Sequence, residues 1–267
     1  FGNIYYTKKG TGSPILLIHD TLPGASGYEW SKIEDELAID HTVYTVDLLG
    51  CGRSDKSSIT YTNFVYVQMI SDFIKKIIGQ KTDVIASGFS GSFVTMACHN
   101  EKELFNKIML VNPPSLTQLK QMPNRKDRLL KAALEIPIFG TLVYHMIVSR
   151  DNINNLFIEK MYYNPFHVDN QMADAYYEAA HKGGCYTRFL YSSLAAKYMN
   201  INICHALKAL DNSIYIVEGE TEPNGKAVTD DYCASNPAVE VSVLKETKHL
   251  PHVEAPEAFL EQVKIFF

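Results

Sequence analysis

Three side chains of this sequence have the types that together activate a hydroxyl group for nucleophilic attack. Ser90 supplies a hydroxyl, His249 an imidazole base and Glu222 a carboxylate. A serine hydroxyl is a weak nucleophile until a base removes its proton, and the base works best when a carboxylate fixes its tautomer and stabilises the imidazolium. If the fold brings these three residues together, they have the types needed for nucleophilic catalysis.

Each of these roles has a competitor. His252, three residues beyond His249, is the alternative base. Glu222 is followed by Pro223 and also fits a carboxylate exposed in a surface turn. Ser90 also fits the N-cap of a helix, where a serine hydroxyl accepts from backbone N–H groups. The residue types alone do not determine these roles, which depend on the strands, helices and loops that position the side chains.

The composition is that of a folded protein and excludes several classes of function. Of the 267 residues, 46% are hydrophobic and 21% are charged, which supplies a substantial core and argues against disorder or a coiled coil. The 25 Lys and Arg against 30 Asp and Glu give a net charge of −5, and no basic stripe stands out. Because a nucleic-acid site has to neutralise phosphates, we expect no nucleic acid as partner, and instead a small-molecule substrate or ligand.

The five cysteines are widely spaced, with no C-x-x-C pair and no histidine-flanked cluster. With no dinucleotide or P-loop motif either, the sequence predicts no metal, no cofactor and a reducing, cytoplasmic compartment. We expect any targeting segment to have been removed or never present. The longest apolar stretch, 132–148, is shorter than the roughly 20 residues of a membrane span. We interpret it as a packed helix, with contact to a membrane surface as the alternative.

Short apolar runs alternate with helical patterns over the first 113 residues, which is typical of a parallel sheet covered by helices. The spacing predicts a helix over 64–78, closed by Gly79. A helical pattern without a convincing strand fills 115–207, and a last helix is predicted at 257–267. The predicted strands are 15–19, 43–47, 84–87, 108–111, 213–217 and 239–244. We therefore expect an α/β core at 1–114 and 208–267, with 115–207 inserted as a helical cap.

Ligands of open α/β sheets bind outside the carboxyl ends of the strands, and the segments at these ends resemble one family. The run L-L-I-H-D at 16–20 is similar to the start of the oxyanion loop of α/β-hydrolases, and 47–55 resembles their D-x-x-G-x-G-x-S turn. The run A-S-G-F-S-G-S at 86–92 follows a strand and opens a helix, as the nucleophile elbow does. Residues 217–223 and 249–256 resemble the acid turn and the histidine loop.

The resemblance covers nearly the whole chain in the family's order, with the helical insert where the family carries its cap. It implies an α/β fold with a mostly parallel central sheet flanked by helices. It also implies a hydrolase that cleaves an ester, amide or similar bond and needs no cofactor, with the chain order nucleophile, acid, base that Ser90, Glu222 and His249 follow.

The elbow aligns in two registers. Small residues must stand two positions before and two after the nucleophile, and the run G-F-S-G-S at 88–92 then makes Ser90 the nucleophile. Counting inward from the flanking strands instead puts Gly88 at the nucleophile position, so that the nucleophile is missing and Phe89 donates the oxyanion N–H. Ser87 is a further alternative. The first register predicts a serine hydrolase, and the second predicts a non-catalytic relative that binds a ligand or partner.

Asp20 stands where the family has glycine, beside the expected oxyanion hole. A carboxylate there would repel the negative charge that the hole must stabilise. Either Asp20 points away to solvent or this site does not stabilise an oxyanion. In this loop we expect Thr21 to be the backbone donor. The expected oxyanion or binding positions are Asp20, Thr21, Gly88, Phe89 and Gly91. We expect a pocket between cap and core, walled by apolar and tyrosine side chains, for a small and largely apolar substrate.

Overall fold

The computed structural model describes residues 2–267, and one seven-stranded sheet forms their centre. The strands are β1 Tyr6–Lys9, β2 Ser13–Ile18, β3 His41–Val46, β4 Thr82–Ser87, β5 Phe105–Val111, β6 Ile214–Gly219 and β7 Val239–Leu244. They lie in the order β1-β3-β2-β4-β5-β6-β7, with β1 antiparallel to β3 and every other pair parallel. The predicted mostly parallel sheet is therefore confirmed.

Helices cover the sheet and fill the long segment between β5 and β6. The helix between β3 and β4 begins at Asn63, continues as a π turn over Ile74–Ile78 and ends at Gly79, whose φ of 73° is left-handed. The sequence predicted this helix at 64–78. The helices are α1 Glu34–Leu37, α2 Asn63–Phe73, α3 Ser90–Asn100, α4 Leu116–Leu119, α5 Arg125–Glu135, α6 Phe139–Ile147, α7 Arg150–Leu156, α8 Asn170–His181, α9 Arg188–Ala195, α10 Cys204–Ala209, α11 Gly225–Ser235, α12 Pro251–Glu254 and α13 Pro256–Phe266.

The core lies on both faces of the sheet because successive side chains of a strand point to opposite faces. In β2, Leu16 and Ile18 join the apolar cluster that α2, α3, α10 and α11 cover. Ile15 and Leu17 join the cluster on the other face, under α1 and α13. Strands buried on both faces read as continuous apolar runs, which is why the sequence predicted them well.

The one strand that the sequence did not predict is β1. Its four residues, Y-T-K-K, are mostly exposed, and it lies at the edge of the sheet. An edge strand faces solvent and commonly carries lysines that discourage pairing with other chains, so it lacks an apolar signal.

Residues 115–207 contain helices and turns but no strand within the part of the chain that the structure describes. Their own apolar cluster includes Phe157, Met172 and Tyr176, and it also takes in Ala25 and Leu250 from the loops after β2 and β7. The helical segment is therefore attached beside the carboxyl ends of the strands. The division into a core and a cap at residues 115 and 207 stays a prediction.

Asp47, directly after β3, fixes the loops around those strand ends. Its Oδ1 accepts a hydrogen bond from the backbone N–H of Gly27 at 2.6 Å, and its Oδ2 accepts one from Arg53 at 2.7 Å. The hydroxyl of Ser54 donates to the carbonyl oxygen of Asp47 at 2.6 Å. Because Asp47 is buried, loss of its carboxylate would leave two backbone N–H groups without an acceptor.

We expect Asp47→Ala to lower the free energy of unfolding by about 3 kcal/mol, because two hydrogen bonds to a charged acceptor are lost. Urea unfolding followed by circular dichroism measures the change. Asp231→Ala is the control, since Asp231 is exposed and should change the stability by no more than about 0.5 kcal/mol. Equal stability of the two variants would contradict the bracing role of Asp47.

Candidate active site

The carboxyl ends of the parallel strands meet around a cavity of about 500 Å³. The loop after β2 brings Asp20 and Thr21 to it, and the turn after β4 brings Gly88 and Phe89. Glu222 follows β6, and His249 follows β7. Of the eight site residues proposed from the sequence, these six line the cavity.

Gly88 occupies the elbow between β4 and α3. Its φ of 53° is left-handed, and its N–H donates to the carbonyl of Val111 at 2.8 Å. A strained residue at a sharp turn from strand to helix is the position of the nucleophile in this kind of elbow. A Cβ added to Gly88 would lie 2.2 Å from the Cγ of Asp20. The space of a nucleophile side chain is therefore taken by the carboxylate of Asp20.

The carboxylate of Asp20 is turned toward the two backbone N–H groups that the sequence predicts as oxyanion donors. Its Oδ1 accepts from the backbone N–H of Phe89 at 2.7 Å and of Thr21 at 2.6 Å. An oxyanion hole consists of just such a pair, the N–H after the nucleophile and an N–H of the neighbouring loop. With 6% of its side chain exposed, Asp20 does not point to solvent. Thr21 and Phe89 are thus the two backbone donors at this place, and Oδ1 of Asp20 is their acceptor.

His249 lies between two carboxylates. Its Nε2 is 3.3 Å from Oδ2 of Asp20, and its Nδ1 is 3.2 Å from Oε1 of Glu222. Burial by itself lowers the pKa of His249, but the hydrogen bonds to Asp20 and Glu222 and their charges outweigh burial and raise the pKa to about 10. His249 is therefore an imidazolium at neutral pH.

Ser90 is brought together with the loop after β2 and not with His249. It is fully buried at the start of α3, where its hydroxyl donates to the carbonyl of His19 at 2.6 Å and lies 3.0 Å from the hydroxyl of Thr21. No hydrogen bond joins Ser90 to His249 within residues 2–267. Ser90 thus ties the first turn of α3 to the oxyanion loop.

Gly91 packs inside the core and does not line the cavity. It is buried in the first turn of α3, where a Cβ would lie 3.1 Å from Cδ2 of Leu110. Its small size therefore lets α3 approach the sheet closely.

The loop after β2 is held by His19, the last residue of the run L-L-I-H before Asp20. The ring Nδ1 of His19 is 2.6 Å from the carbonyl oxygen of Asp20, and its Nε2 accepts from the N–H of Leu48 at 3.0 Å. Because Nε2 accepts, Nδ1 carries the proton and donates to Asp20. The fully buried ring thereby fixes the backbone that aims the Asp20 side chain.

His252, the alternative base, lies outside the cavity in the same buried region as Glu29. Its Nε2 is 3.2 Å from Oε1 of Glu29, and its ring stacks on Trp30 at 4.3 Å. Burial raises the pKa of Glu29, but the neighbouring His252 imidazole outweighs burial and holds that pKa below its usual value. Oε2 of Glu29 accepts from the N–H of Asp20 and from the hydroxyl of Tyr176, both at 3.3 Å. Glu29 and His252 therefore support the backbone of Asp20 from outside the cavity.

Asn112 is a site residue that the sequence reasoning missed. It follows β5 with a left-handed φ of 44°, and its side-chain amide donates to the carbonyls of Lys248 and His249 at 2.8 and 2.9 Å. Its Oδ1 accepts from the N–H of Gly219 at 3.0 Å. One amide therefore ties the acid turn to the histidine loop. The sequence feature that could have identified it is an asparagine at the end of a strand, since asparagine tolerates left-handed backbone angles.

The wall of the cavity is more polar than the sequence predicted. From the helical segment it takes Gln118, Gln121, Leu194, Lys197 and Asn200. None of the tyrosines of residues 2–267 is among the lining residues, so the expected tyrosine wall is wrong. Most are used elsewhere, for example Tyr162 and Tyr176, which are buried in the apolar cluster of the helical segment.

The site has no geometry that suggests a metal. Among the described residues, no group of three or more His, Cys, Asp or Glu side chains is arranged to hold an ion. The five cysteines are all free thiols.

Comparisons with known proteins agree with this architecture. The chain is 29% identical over 113 residues to a 2-hydroxy-6-oxo-6-(2'-aminophenyl)hexa-2,4-dienoic acid hydrolase of Metapseudomonas resinovorans, covering 42% of this chain and 39% of that protein. It is 24% identical over 109 residues to a soluble epoxide hydrolase of Corynebacterium sp. strain C12, covering 41% and 37%. The chain thus spans about two fifths of the length of these curated relatives.

Solved structures extend the similarity of fold to nearly the whole chain. A variant of the meta-cleavage product hydrolase of Pseudomonas fluorescens IP01 superposes with a TM-score of 0.78 at 19% identity, covering 99% of this chain and 93% of that one. The epoxide hydrolase CorEH superposes with a TM-score of 0.80 at 17% identity, covering 99% and 94%. The model of the alpha/beta hydrolase family matches residues 15–262, and the chain belongs to that family.

Proposed function

We propose that this chain is a hydrolase whose nucleophile is the carboxylate of Asp20 and not the hydroxyl of Ser90. The observation that carries the proposal is the position of Asp20, whose Cγ lies 2.2 Å from where a Cβ of Gly88 would be. A carboxylate is a competent nucleophile and forms an ester with the carbon that it attacks. The loop after β2 would thus supply the group that the elbow lacks.

The occupied oxyanion hole selects the kind of bond. Because Oδ1 of Asp20 already accepts from Phe89 and Thr21, the hole has no place for the carbonyl oxygen of an acyl substrate. Attack by Oδ2 on a saturated carbon needs no such place, since Oδ1 simply becomes the carbonyl oxygen of the new ester. We therefore propose a substrate with a leaving oxygen on saturated carbon, such as an epoxide. The soluble epoxide hydrolase among the relatives supports this choice.

The cavity also revises the expected polarity of the substrate. Gln118 and Gln121 line the cavity, and their amide side chains have both hydrogen-bond donors and acceptors. We therefore propose a substrate whose apolar part carries the reacting carbon and that can also carry a polar substituent.

In the first step Oδ2 of Asp20 attacks the carbon, and the bond from that carbon to the leaving oxygen breaks. His249, which is protonated before the step, donates its Nε2 proton to the leaving oxygen. The products are an Asp20 ester, an alcohol group and a neutral imidazole. Glu222 holds the ring through Nδ1 during this transfer.

In the second step neutral His249 takes a proton from water, and the hydroxide attacks Cγ of the Asp20 ester. The negative charge develops on Oδ1, which the N–H groups of Phe89 and Thr21 stabilise. Collapse releases the alcohol, which takes the remaining carboxyl proton. Asp20 is again a carboxylate and His249 again an imidazolium, so protons and charge balance over the cycle.

The charge of Asp20 would also switch His249 from acid to base. Esterification removes one of the two carboxylates that raise the pKa of His249, so the imidazole becomes easier to deprotonate once the ester exists. The same group therefore serves as acid in the first step and base in the second.

A second function is favoured by the absence of a side chain at Gly88. The charges of Asp20, His249 and Glu222 satisfy one another without any substrate. In this second function the chain is a non-catalytic relative that binds a polar ligand in the cavity. Isotope labelling and trapping of the ester separate the two functions.

Turnover of styrene oxide in water enriched in oxygen-18 tests the nucleophile. We expect oxygen-18 to enter Asp20, because hydroxide attacks Cγ in the second step, and mass spectrometry of the peptide that contains Asp20 detects it. Asp20→Asn should lower turnover by about 10⁴-fold, as for loss of a nucleophile. Peptides with other aspartates are the internal control.

A covalent intermediate should be trapped in the variant His249→Gln with hexyl bromide. Bromide leaves without a proton, so the first step does not need His249, whereas release of the ester does. Intact-protein mass spectrometry should show one hexyl group, located on Asp20. Turnover with label only in the product would disprove the nucleophile; no turnover, no label and no hexyl ester would establish the binding function instead.

The overlap of Asp20 with the elbow predicts how a serine nucleophile can be restored. Gly88→Ser alone should stay inactive toward p-nitrophenyl acetate, because its Cβ would overlap the Asp20 carboxylate. Asp20→Gly with Gly88→Ser frees both the space and the oxyanion hole, and we expect hydrolysis about a hundredfold faster than for Gly88→Ser. Labelling of the introduced hydroxyl by a phosphonate in the double variant would identify the new nucleophile. Equal rates would show that Asp20 does not fill the elbow.

The raised pKa of His249 predicts a pH dependence that needs no substrate. Since the pKa is about 10 in the folded chain and 6.5 ordinarily, protonated His249 stabilises the fold fully below pH 6.5. This contribution is lost as the pH rises toward 10. Urea unfolding should show a decline of stability over this window that His249→Gln lacks. If the stability of both proteins changed with pH in the same way, the raised pKa of His249 would be refuted.

A further inference from the structure

Two helices of the predicted cap expose a row of large apolar side chains. In α5, in α6 and in the turn between them, six such residues are each between 51% and 79% exposed: Leu129, Ile136, Ile138, Phe139, Leu142 and Met146. We call these six residues the cap surface. Contiguous apolar patches are uncommon on monomeric proteins and mark sites of interaction.

The cap surface follows the helical repeat on each of the two helices. Leu129 and Ile136 are seven positions apart on α5 and its end, while Phe139, Leu142 and Met146 follow the three-and-four spacing of one side of α6. The opposite sides of these helices carry the buried residues, among them Leu134, Gly140 and Tyr144. Each helix therefore has an inner apolar side packed on the protein and an outer apolar side without cover in the described chain.

Three cations adjoin the cap surface at the start of α5. Arg125, Lys126 and Arg128 are exposed, and none forms an ion pair with a carboxylate of residues 2–267. The two acids of the helix are already paired, Asp127 with Lys197 at 3.4 Å and Glu135 with Lys131 at 2.6 Å. A local positive charge thus stands beside an apolar face on a chain of net charge −5.

The shape of the helix pair favours lying along a surface. Within residues 2–267 no single helix is long and apolar enough to cross a membrane. Arg125–Glu135 and Phe139–Ile147 together meet the length and hydropathy, but they are bent by 97°. Amphipathic helices with cations beside an apolar face bind in the plane of a membrane interface.

We propose that the cap surface binds a lipid bilayer that contains anionic lipids. The apolar side chains would enter the boundary between headgroups and acyl chains, while Arg125, Lys126 and Arg128 contact the anionic headgroups. A second copy of the chain fits this face less well. A two-fold interface needs a self-complementary patch, and α5 and α6 offer three unpaired cations but no unpaired carboxylate to meet them.

Sedimentation of the protein with vesicles tests the proposal. We expect binding to vesicles of equal parts phosphatidylcholine and phosphatidylserine, and much weaker binding to phosphatidylcholine alone. Replacing Arg125, Lys126 and Arg128 by Gln should lower the partition coefficient by about a hundredfold, since each cation near an anionic surface contributes about fivefold. The matched control replaces three exposed lysines outside the predicted cap by Gln, namely Lys81, Lys208 and Lys245.

The apolar part has its own variant. Ile138→Ser with Phe139→Ser should abolish binding at the same surface charge, whereas Phe64→Ser, at an equally exposed residue of α2, should not. Circular dichroism verifies that each variant is folded. Binding that is unchanged in either cap variant, or no binding by the wild type, would overturn the proposal. So would a wild-type dimer that the Ile138 and Phe139 variant dissociates and that binds no vesicles, because the occupant would then be a second copy.

Discussion

The contact on which the site depends is the one between the Asp20 carboxylate and the two N–H groups of the oxyanion hole. A buried carboxylate is costly unless hydrogen bonds and opposite charge compensate it. Here Phe89 and Thr21 satisfy one oxygen and His249 faces the other. The contact is possible only because residue 88 has no side chain. The same space can hold either a side chain at residue 88 or the carboxylate of Asp20, and in this chain it holds the carboxylate.

Buried polar groups beneath the cavity keep that carboxylate in place. His19 holds the carbonyl of Asp20, and Glu29 accepts from its N–H. Glu29 in turn is paired with His252 and bonded by Tyr176, which belongs to α8. The two bonds to the backbone of Asp20 hold this loop in one arrangement. Through Tyr176 the same network also joins the helical segment to the floor of the site.

The sheet was predictable because its strands are buried on both faces and therefore read as apolar runs between turns. The histidine and acid turns were predictable from their order at successive strand ends. The role of Asp20 was not, since a sequence does not say which way a side chain turns, and the answer depended on a missing Cβ at the distant residue 88. The elbow aligned in two registers because residues 86, 88, 90 and 92 are all small, so the positions two before and two after the nucleophile are small in both registers. The predicted tyrosine wall of the cavity was wrong because aromatic residues of a helical segment pack inside it as readily as they line a pocket.

Because residues 20 and 88 share one volume, they are not free to change independently in evolution. A lineage that moves from this arrangement to a side chain at the elbow must pass through one of two intermediates. One of them has neither group at the site, and the other has two groups in the space of one. Both intermediates are expected to be worse than either endpoint, which is reciprocal sign epistasis. The two forms of the site would thus persist as separate lineages, and substitutions that are harmless in one would be harmful in the other.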